Sequence, residues 1–212
     1  MEFNEFLKKY QNLPLLNTDL LLTGETDPRL LRVQLSRWVK AGHLFRLKRG
    51  VYAFAPHFQK ILPSPYLIAS VLTRPSYVSL EKALEFHGLI PEAVFTVTCV
   101  TTKRPGRFET PLGRFSYNHV RPQLFWGYAS VLLEDQSGSM AHPEKALLDL
   151  IYLKAPRLTK NYLEGLRLQN FEKINAGRLL EYGRRFKKPR MLHAAGMIIA
   201  YMKKTASTEK KL

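Results

Sequence analysis

The sequence predicts an α+β protein in which a small helical N-terminal part with one basic hairpin precedes a larger part of mixed helices and strands. Three observations predict this class. A helix pattern runs directly into a hairpin pattern over residues 27–56, three β-prone runs fall between residues 94 and 133, and apolar stripes at helical spacing fill the rest of the chain. The 212 residues are enough for two domains, and the formal net charge is +16.

The first strong element is a helix predicted from about Pro28 to Ala41. Asp27 can cap its first amides, Pro28 suits the first helical position, and Gly42 suits a left-handed C-terminal cap. At about 100° per residue, the apolar and the polar positions separate onto two faces. The apolar stripe consists of Leu31, Leu35, Trp38 and Val39, and the other side carries Arg29, Arg32, Val33, Ser36, Arg37 and Lys40.

A basic hairpin follows this helix. Residues 44–47 and 51–54 are β-prone, and Lys48-Arg49-Gly50 joins them with two cations and the glycine that a turn requires. Two shorter helices are predicted before the long one: one over about the first ten residues, and one that begins with a cap at Asn17 or Thr18 and runs through Leu22. Helix, helix, long helix and hairpin is the order of a winged helix-turn-helix, and we assign residues 1–56 to such a domain.

The second domain is predicted to span residues 63–212, because the proline-rich segment 61–65 can continue neither a strand nor a helix. Helices are predicted at residues 65–72 and 79–87, the second capped by Ser79 and stopped by Gly88. Strands are predicted at 94–100, 114–118 and 129–133, which favours a small, mostly antiparallel sheet. C-terminal helices are predicted from His142-Pro143 and at about 159–169, 175–185 and 189–204.

No catalytic residue, metal ligand or cofactor is predicted. The histidines are scattered singly, the serines lack the glycines of a nucleophile elbow, and no glycine-rich phosphate loop occurs. Cys99 lies in an apolar strand, which indicates a buried small hydrophobe. Glu144, Lys145 and Asp149 lack the alternation along a strand that a nuclease site needs, and the helix macrodipole alone accounts for Glu144.

The cysteine count and the lengths of the apolar runs indicate where the protein works. With one cysteine, no internal disulfide can form, which indicates a reducing cytoplasm. No run approaches the roughly eighteen apolar residues of a membrane span, so no membrane association is predicted.

From Pro28 to Leu80 there is no acidic residue, and seven Lys or Arg lie between Arg29 and Arg49. A solvated face normally mixes both signs, so this single-signed surface favours a polyanion, namely double-stranded DNA.

A role follows for each residue of this basic surface. The N-terminal end of a recognition helix enters the major groove most deeply, so four side chains are expected to face base edges: Arg29, Arg32, Val33 and Ser36. Arg37 and Lys40 would lie nearer the phosphates. The wing would contact the backbone or the minor groove through Arg46, Lys48 and Arg49.

A second basic cluster interrupts the C-terminal helices. Its cations are Arg184, Arg185, Lys187, Lys188 and Arg190. Three interpretations stay open: a second contact to DNA phosphates, a docking surface for an acidic partner protein, and a solvated helix junction.

Three separated motifs resemble one known family. They are LSRWVKAGHLFRLKRGVY from Leu35, YVSLEKALEFHGLI from Tyr77, and AHPEKALLD from Ala141. Together they are similar to the AbiEi family antitoxins of type IV toxin–antitoxin systems. The resemblance implies a transcriptional repressor that binds inverted repeats in its own promoter. It also implies a C-terminal antitoxin domain that antagonises a nucleotidyltransferase-like toxin without requiring a stable complex.

Two alternatives of other classes remain at this point. One is a winged-helix transcriptional regulator whose C-terminal domain senses a small ligand. The other is a nuclease that uses the winged domain for targeting, which would need a metal cluster that the sequence does not offer.

Overall fold

The computed structural model describes residues 2–22, 28–155 and 157–209. The N-terminal part consists of three helices and a small three-stranded sheet. The helices are α1 (Phe3–Tyr10), α2 (Thr18–Leu21) and α3 (Pro28–Lys40), and the strands are β1 (Leu16–Asn17), β2 (Leu44–Lys48) and β3 (Val51–Phe54). The sheet order is β1-β3-β2, with both pairings antiparallel. The predicted helices and hairpin are therefore confirmed, while β1 was not predicted and Asp27 lies outside the described residues.

The predicted apolar stripe of α3 forms the centre of the N-terminal core. Leu31 and Leu35 are buried, Trp38 is 9% exposed, and Val39 packs against them from the edge of the cluster. The ring of Phe6 in α1 lies 4.6 Å from that of Trp38, measured between centroids. This packing turns the basic side of α3 towards solvent.

The second part of the chain contains a six-stranded mixed sheet. Its strands are β4 (Ser76–Val78), β5 (Thr96–Thr101), β6 (Gly106–Thr110), β7 (Gly113–His119), β8 (Tyr128–Leu133) and β9 (Gln136–Ala141). The order is β6-β7-β5-β4-β9-β8, with β4–β9 and β5–β7 parallel and the other three pairings antiparallel. The mostly antiparallel sheet is confirmed, and β5, β7 and β8 correspond to the three predicted strands.

Helices pack against this sheet and against one another. They are α4 (Pro65–Leu72), α5 (Leu80–Phe86), α6 (Pro143–Lys154), α7 (Lys160–Gly165), α8 (Ala176–Arg185) and α9 (Pro189–Glu209). Helix α6 contacts α5, α8, α9 and β9, and its residues from Glu144 to Ile151 are buried. The α+β class and the C-terminal helices are thus confirmed. Helix α7 is shorter than predicted, and α9 is longer.

Two assignments made from helix-terminus rules are wrong. Ser79 does not cap α5, because its hydroxyl donates a hydrogen bond to Asp149 Oδ2 at 2.9 Å instead. The macrodipole does not account for Glu144, which is fully buried and receives two hydrogen bonds from Arg178, at 2.9 and 3.1 Å. It also accepts the backbone amide of Asn175 at 2.7 Å. In both cases a partner distant in sequence outweighs the local rule.

The hairpin joins the two parts of the chain. Leu47, Val51 and Ala53 belong to the same hydrophobic cluster as the buried residues of α4, whereas Leu44 and Phe54 belong to the N-terminal cluster. The hairpin is therefore packed on both sides, which fixes its direction relative to α3. The division into domains of residues 1–56 and 63–212 stays a prediction.

A membrane-spanning segment is not found in the part of the chain that the structure describes, since none of its helices is both long and apolar enough.

Candidate nucleic-acid interface

The solvent side of α3 carries all six side chains that the sequence placed there. Arg29, Arg32, Val33, Ser36, Arg37 and Lys40 are all exposed. Val33 is 48% exposed and its neighbour Leu30 is 62% exposed, so two apolar side chains lie among the cations. Such a mixture suits the edge of a base pair, because the thymine methyl group offers an apolar contact beside hydrogen-bonding atoms.

Part of this surface forms one wall of a groove of about 790 Å³, and the hairpin forms the opposite wall. Arg32 and Ser36 face it from consecutive turns of α3, and Arg46 and Arg49 face it from the hairpin. Arg29, Val33, Arg37 and Lys40 do not line it. We call Arg32, Ser36, Arg46 and Arg49 the groove set, and Arg29, Val33, Arg37 and Lys40 the outer set.

Residues that the sequence analysis missed complete the groove. Arg74, which follows α4, adds a cation from the second part of the chain, and Asp19 of α2 contributes a carboxylate. With Lys48, the lining thus carries five cations and one anion. Arg74 is separated from α3 by more than thirty residues, so no local pattern could predict that it lies beside α3. The only related signal was the absence of acidic residues from Pro28 to Leu80.

Hydrogen bonds from the first residue of α2 hold the tip of the hairpin in place. The backbone amide and the hydroxyl of Thr18 both donate to the carbonyl of Gly50, at 2.9 and 3.3 Å. Gly50 has a φ of +81°, and a Cβ added there would come within 2.9 Å of Thr18 Oγ1. Any other residue would be strained at this position, so Gly50 allows the turn that places Arg49 beside the groove.

Lys48 does not extend into solvent as a wing residue would. Its ammonium donates to the carbonyl of Val71 at 2.7 Å and to that of Leu72 at 3.1 Å, both in the last turn of α4. A cation at the negative end of a helix is stabilised by its unpaired carbonyls. Burial, together with the nearby Arg74, lowers the pKa of Lys48. Its expected contact with DNA stays a prediction, but its visible role is to attach the hairpin to α4.

We expect Lys48→Met to lower the free energy of unfolding by about 1–2 kcal/mol, because two helix-end carbonyls lose a charged donor. Arg49→Met should change it by less than about 0.5 kcal/mol, since Arg49 is exposed. Urea denaturation of both variants makes the comparison. Equal stability of the two variants would show that the bonds to α4 contribute nothing.

A second polar constellation lies in the interior of the larger part. The ammonium of Lys145 pairs with Asp149 one turn later and also donates to Tyr77 Oη at 2.8 Å. The hydroxyls of Tyr77 and Ser79 both donate to Asp149 Oδ2, each at 2.9 Å. Burial lowers the pKa of Lys145 and raises that of Asp149. The i, i+4 spacing of Lys145 and Asp149 among apolar neighbours is the one sequence signal that could have predicted this pair.

This buried network has the features of a structural element. The side chains of Lys145 and Asp149 have no exposed surface. The aromatic rings of Tyr77, Trp126 and Phe186 surround the ammonium at centroid distances of 4.8 to 5.4 Å. A substrate has no access to such a site, whereas the network links β4 to α6.

The predicted C-terminal basic cluster lies at the junction of α8 and α9, as expected. Arg185 lies over the ring of Trp126 at 4.4 Å, and Lys188 lies over that of Tyr152 at 4.8 Å. Arg190 donates to the carbonyl of Tyr152 at 3.1 Å. Arg184 is exposed. Three cations of the cluster, Arg185, Lys188 and Arg190, therefore lie over aromatic rings.

The carboxylates, histidines and cysteine do not assemble around a common point. Within residues 2–22, 28–155 and 157–209, no three of them are close enough to hold a metal ion. Cys99 is completely buried, which raises the pKa of its thiol.

Comparisons with models of protein families and with curated proteins found no match to this chain. The geometry of the groove and of the exposed face of α3 is therefore the basis on which a function can be assigned.

Proposed function

We propose that this protein is a winged-helix DNA-binding protein of the cytoplasm. The observation that carries this assignment is the groove between α3 and the hairpin, in which Arg32, Arg46, Arg49 and Arg74 converge from three separate segments. A duplex presents two phosphate-lined edges on either side of its major groove. A cationic groove beside an exposed helix face matches one such edge.

The division of the α3 surface supports a specific arrangement on DNA. The outer set enters the major groove, with Arg29 and Val33 at the N-terminal half of α3 facing base edges and Arg37 and Lys40 nearer the phosphates. The groove set receives the adjacent phosphate backbone between α3 and the hairpin. Arg32 and Ser36 are then phosphate contacts in this arrangement, which differs from their expected role as base contacts.

Within this class, we propose a transcriptional repressor and antitoxin of a type IV toxin–antitoxin system. The support is the resemblance of three motifs to AbiEi family antitoxins. The first motif covers the second half of α3 and the hairpin, and the other two contain the buried partners Tyr77, Ser79, Lys145 and Asp149. The protein would bind inverted repeats in its own promoter and oppose a nucleotidyltransferase-like toxin without forming a stable complex.

A separation-of-function experiment tests this proposal. Arg29→Ala combined with Arg32→Ala should release repression of a reporter driven by the protein's own promoter, because both a base contact and a phosphate contact are lost. The same variant should still protect cells from a nucleotidyltransferase-like toxin that is expressed from another promoter. The matched control is Arg107→Ala with Arg114→Ala, two exposed cations of β6 and β7, which should leave both activities intact.

Two results would count against the proposal. Unchanged repression by the α3 variant would show that α3 does not bind the promoter. Failure of the unaltered protein to protect cells from the toxin would show that it is not an antitoxin. A regulator with a ligand-sensing C-terminal domain is the second candidate. It is favoured by one observation, a cavity of about 430 Å³ that Arg185, Lys187 and Lys188 of the C-terminal basic cluster help to line.

A further inference from the structure

A cavity of about 430 Å³ lies beside the junction of α8 and α9. Four cations line it: Arg121 from the segment after β7, and Arg185, Lys187 and Lys188 from the junction itself. Tyr152 of α6 and Phe186 form much of the remaining wall. Two separate stretches of chain thus direct positive charge into one concave space.

This charge is not neutralised locally. The described residues that line the cavity include no carboxylate, and none of the four cations forms an ion pair with a described Asp or Glu. Four like charges around one space repel each other, and an anion in that space would relieve the repulsion.

The cations are also held in position. The guanidinium of Arg185 lies 4.4 Å from the ring centre of Trp126, and the ammonium of Lys188 lies 4.8 Å from that of Tyr152 and 3.4 Å from its hydroxyl oxygen. Long cationic side chains on a surface normally lose rotamer freedom when they bind a ligand. Here the aromatic contacts have already restricted two of them.

The backbone at the junction places one of the four cations in a left-handed conformation. Lys187 has a φ of +51°, directly after Phe186 ends α8. A residue in this left-handed position after a helix is usually glycine, because other residues are strained there. An exposed lysine in a strained conformation, aimed into a basic cavity, is the kind of outlier that accompanies a binding site.

We infer that this cavity is a binding site for a linear polyphosphate group, as carried by a nucleoside triphosphate or by an inorganic polyphosphate chain. A group with three or four negative charges matches four cations, and the volume lies within the range of small-molecule sites, about 300–1,000 Å³. Its concave shape favours a compact ligand over a continuous duplex. The site does not depend on the proposed DNA-binding role of α3.

Calorimetric titration of the full-length protein with sodium tripolyphosphate, ATP and inorganic phosphate tests this inference. Lys187→Gly and Arg121→Gln should each weaken tripolyphosphate binding about tenfold, since each removes one charge-assisted contact. The matched control is Arg114→Gln, which removes one exposed cation at the opposite end of β7 and should stay within about twofold. Lys187→Gly should melt at the same temperature as the parent or above it, because glycine relieves the left-handed strain.

The titrations distinguish the two possible ligands and also show when the inference fails. Tighter binding of ATP than of tripolyphosphate identifies a nucleotide as the ligand, and the reverse identifies the inorganic chain. No binding at about 1 mM, an equal loss in Arg114→Gln, or phosphate binding as tightly as tripolyphosphate would each overturn the inference. An equal loss of duplex DNA affinity and of tripolyphosphate affinity in Arg121→Gln would make the cavity a DNA contact instead.

Discussion

Asp149→Asn is expected to lower the free energy of unfolding by about 3–5 kcal/mol, because it leaves the ammonium of Lys145 buried without its counter-charge. The asparagine keeps an oxygen that can accept from Tyr77 or Ser79, so most of the loss reports on the unpaired charge. Urea denaturation followed by circular dichroism measures the change.

The double variant Lys145→Met with Asp149→Asn provides the control. It leaves no charge in this network, so it should be more stable than Asp149→Asn alone by about 1–3 kcal/mol. If the free energy of unfolding of Asp149→Asn falls by less than about 1 kcal/mol, the ion pair does not stabilise the protein. The structural role that we assign to this network would then be wrong.

Arg32→Ala combined with Arg46→Ala is expected to weaken binding to duplex DNA by about tenfold or more, irrespective of its sequence. The two guanidinium groups lie on opposite walls of the groove, so both would contact the same phosphate edge. Their loss should also flatten the dependence of log affinity on log salt by about two units. Fluorescence anisotropy at several salt concentrations gives both quantities.

Arg29→Ala should behave differently, because Arg29 belongs to the outer set. Its substitution is expected to reduce the preference for the promoter over a scrambled duplex by about tenfold, with a smaller change in binding to the scrambled duplex. If instead Arg32→Ala erases the preference and Arg29→Ala lowers both affinities alike, the base-facing and phosphate-facing sets have been exchanged.

Elements with a strong local pattern could be predicted from the sequence. The stripe of α3 repeats at helical spacing and is bounded by Pro28 and Gly42, so both its face and its ends were correct within a residue or two. The hairpin is marked by Lys48-Arg49-Gly50 in the same way. The basic face of α3 followed directly, because burying one stripe necessarily exposes the other.

Other elements depend on partners far away in the chain. Strand β9 is the polar segment QSGSMA, and it is a strand because β4 pairs with it across some sixty residues and β8 pairs along its other edge. Its Gly138 lets α4 approach, since a Cβ there would lie 2.6 Å from that of Tyr66. Nothing in the local pattern of this segment predicts such contacts.

The same limit applies to the candidate sites. The sequence predicted each cation of α3 and the hairpin, but it could not show that Arg32 and Ser36 face the hairpin or that Arg74 joins them. It could not show that Lys48 is bound to α4. Buried charges were the hardest case, because Glu144 and Lys145 look like solvated helix residues until their partners Arg178 and Asp149 are placed.

The most direct test is the binding of the unaltered protein to a duplex from its own promoter, compared with a scrambled duplex of equal length, between about 50 and about 200 mM salt. We expect the promoter duplex to bind at least about tenfold more tightly, and log affinity to fall linearly with log salt with a slope of at least about three, one unit for each of the groove cations Arg32, Arg46 and Arg49. Equal binding of the two duplexes, or an affinity that does not change with salt, would contradict the assignment of the α3 and hairpin surface to DNA.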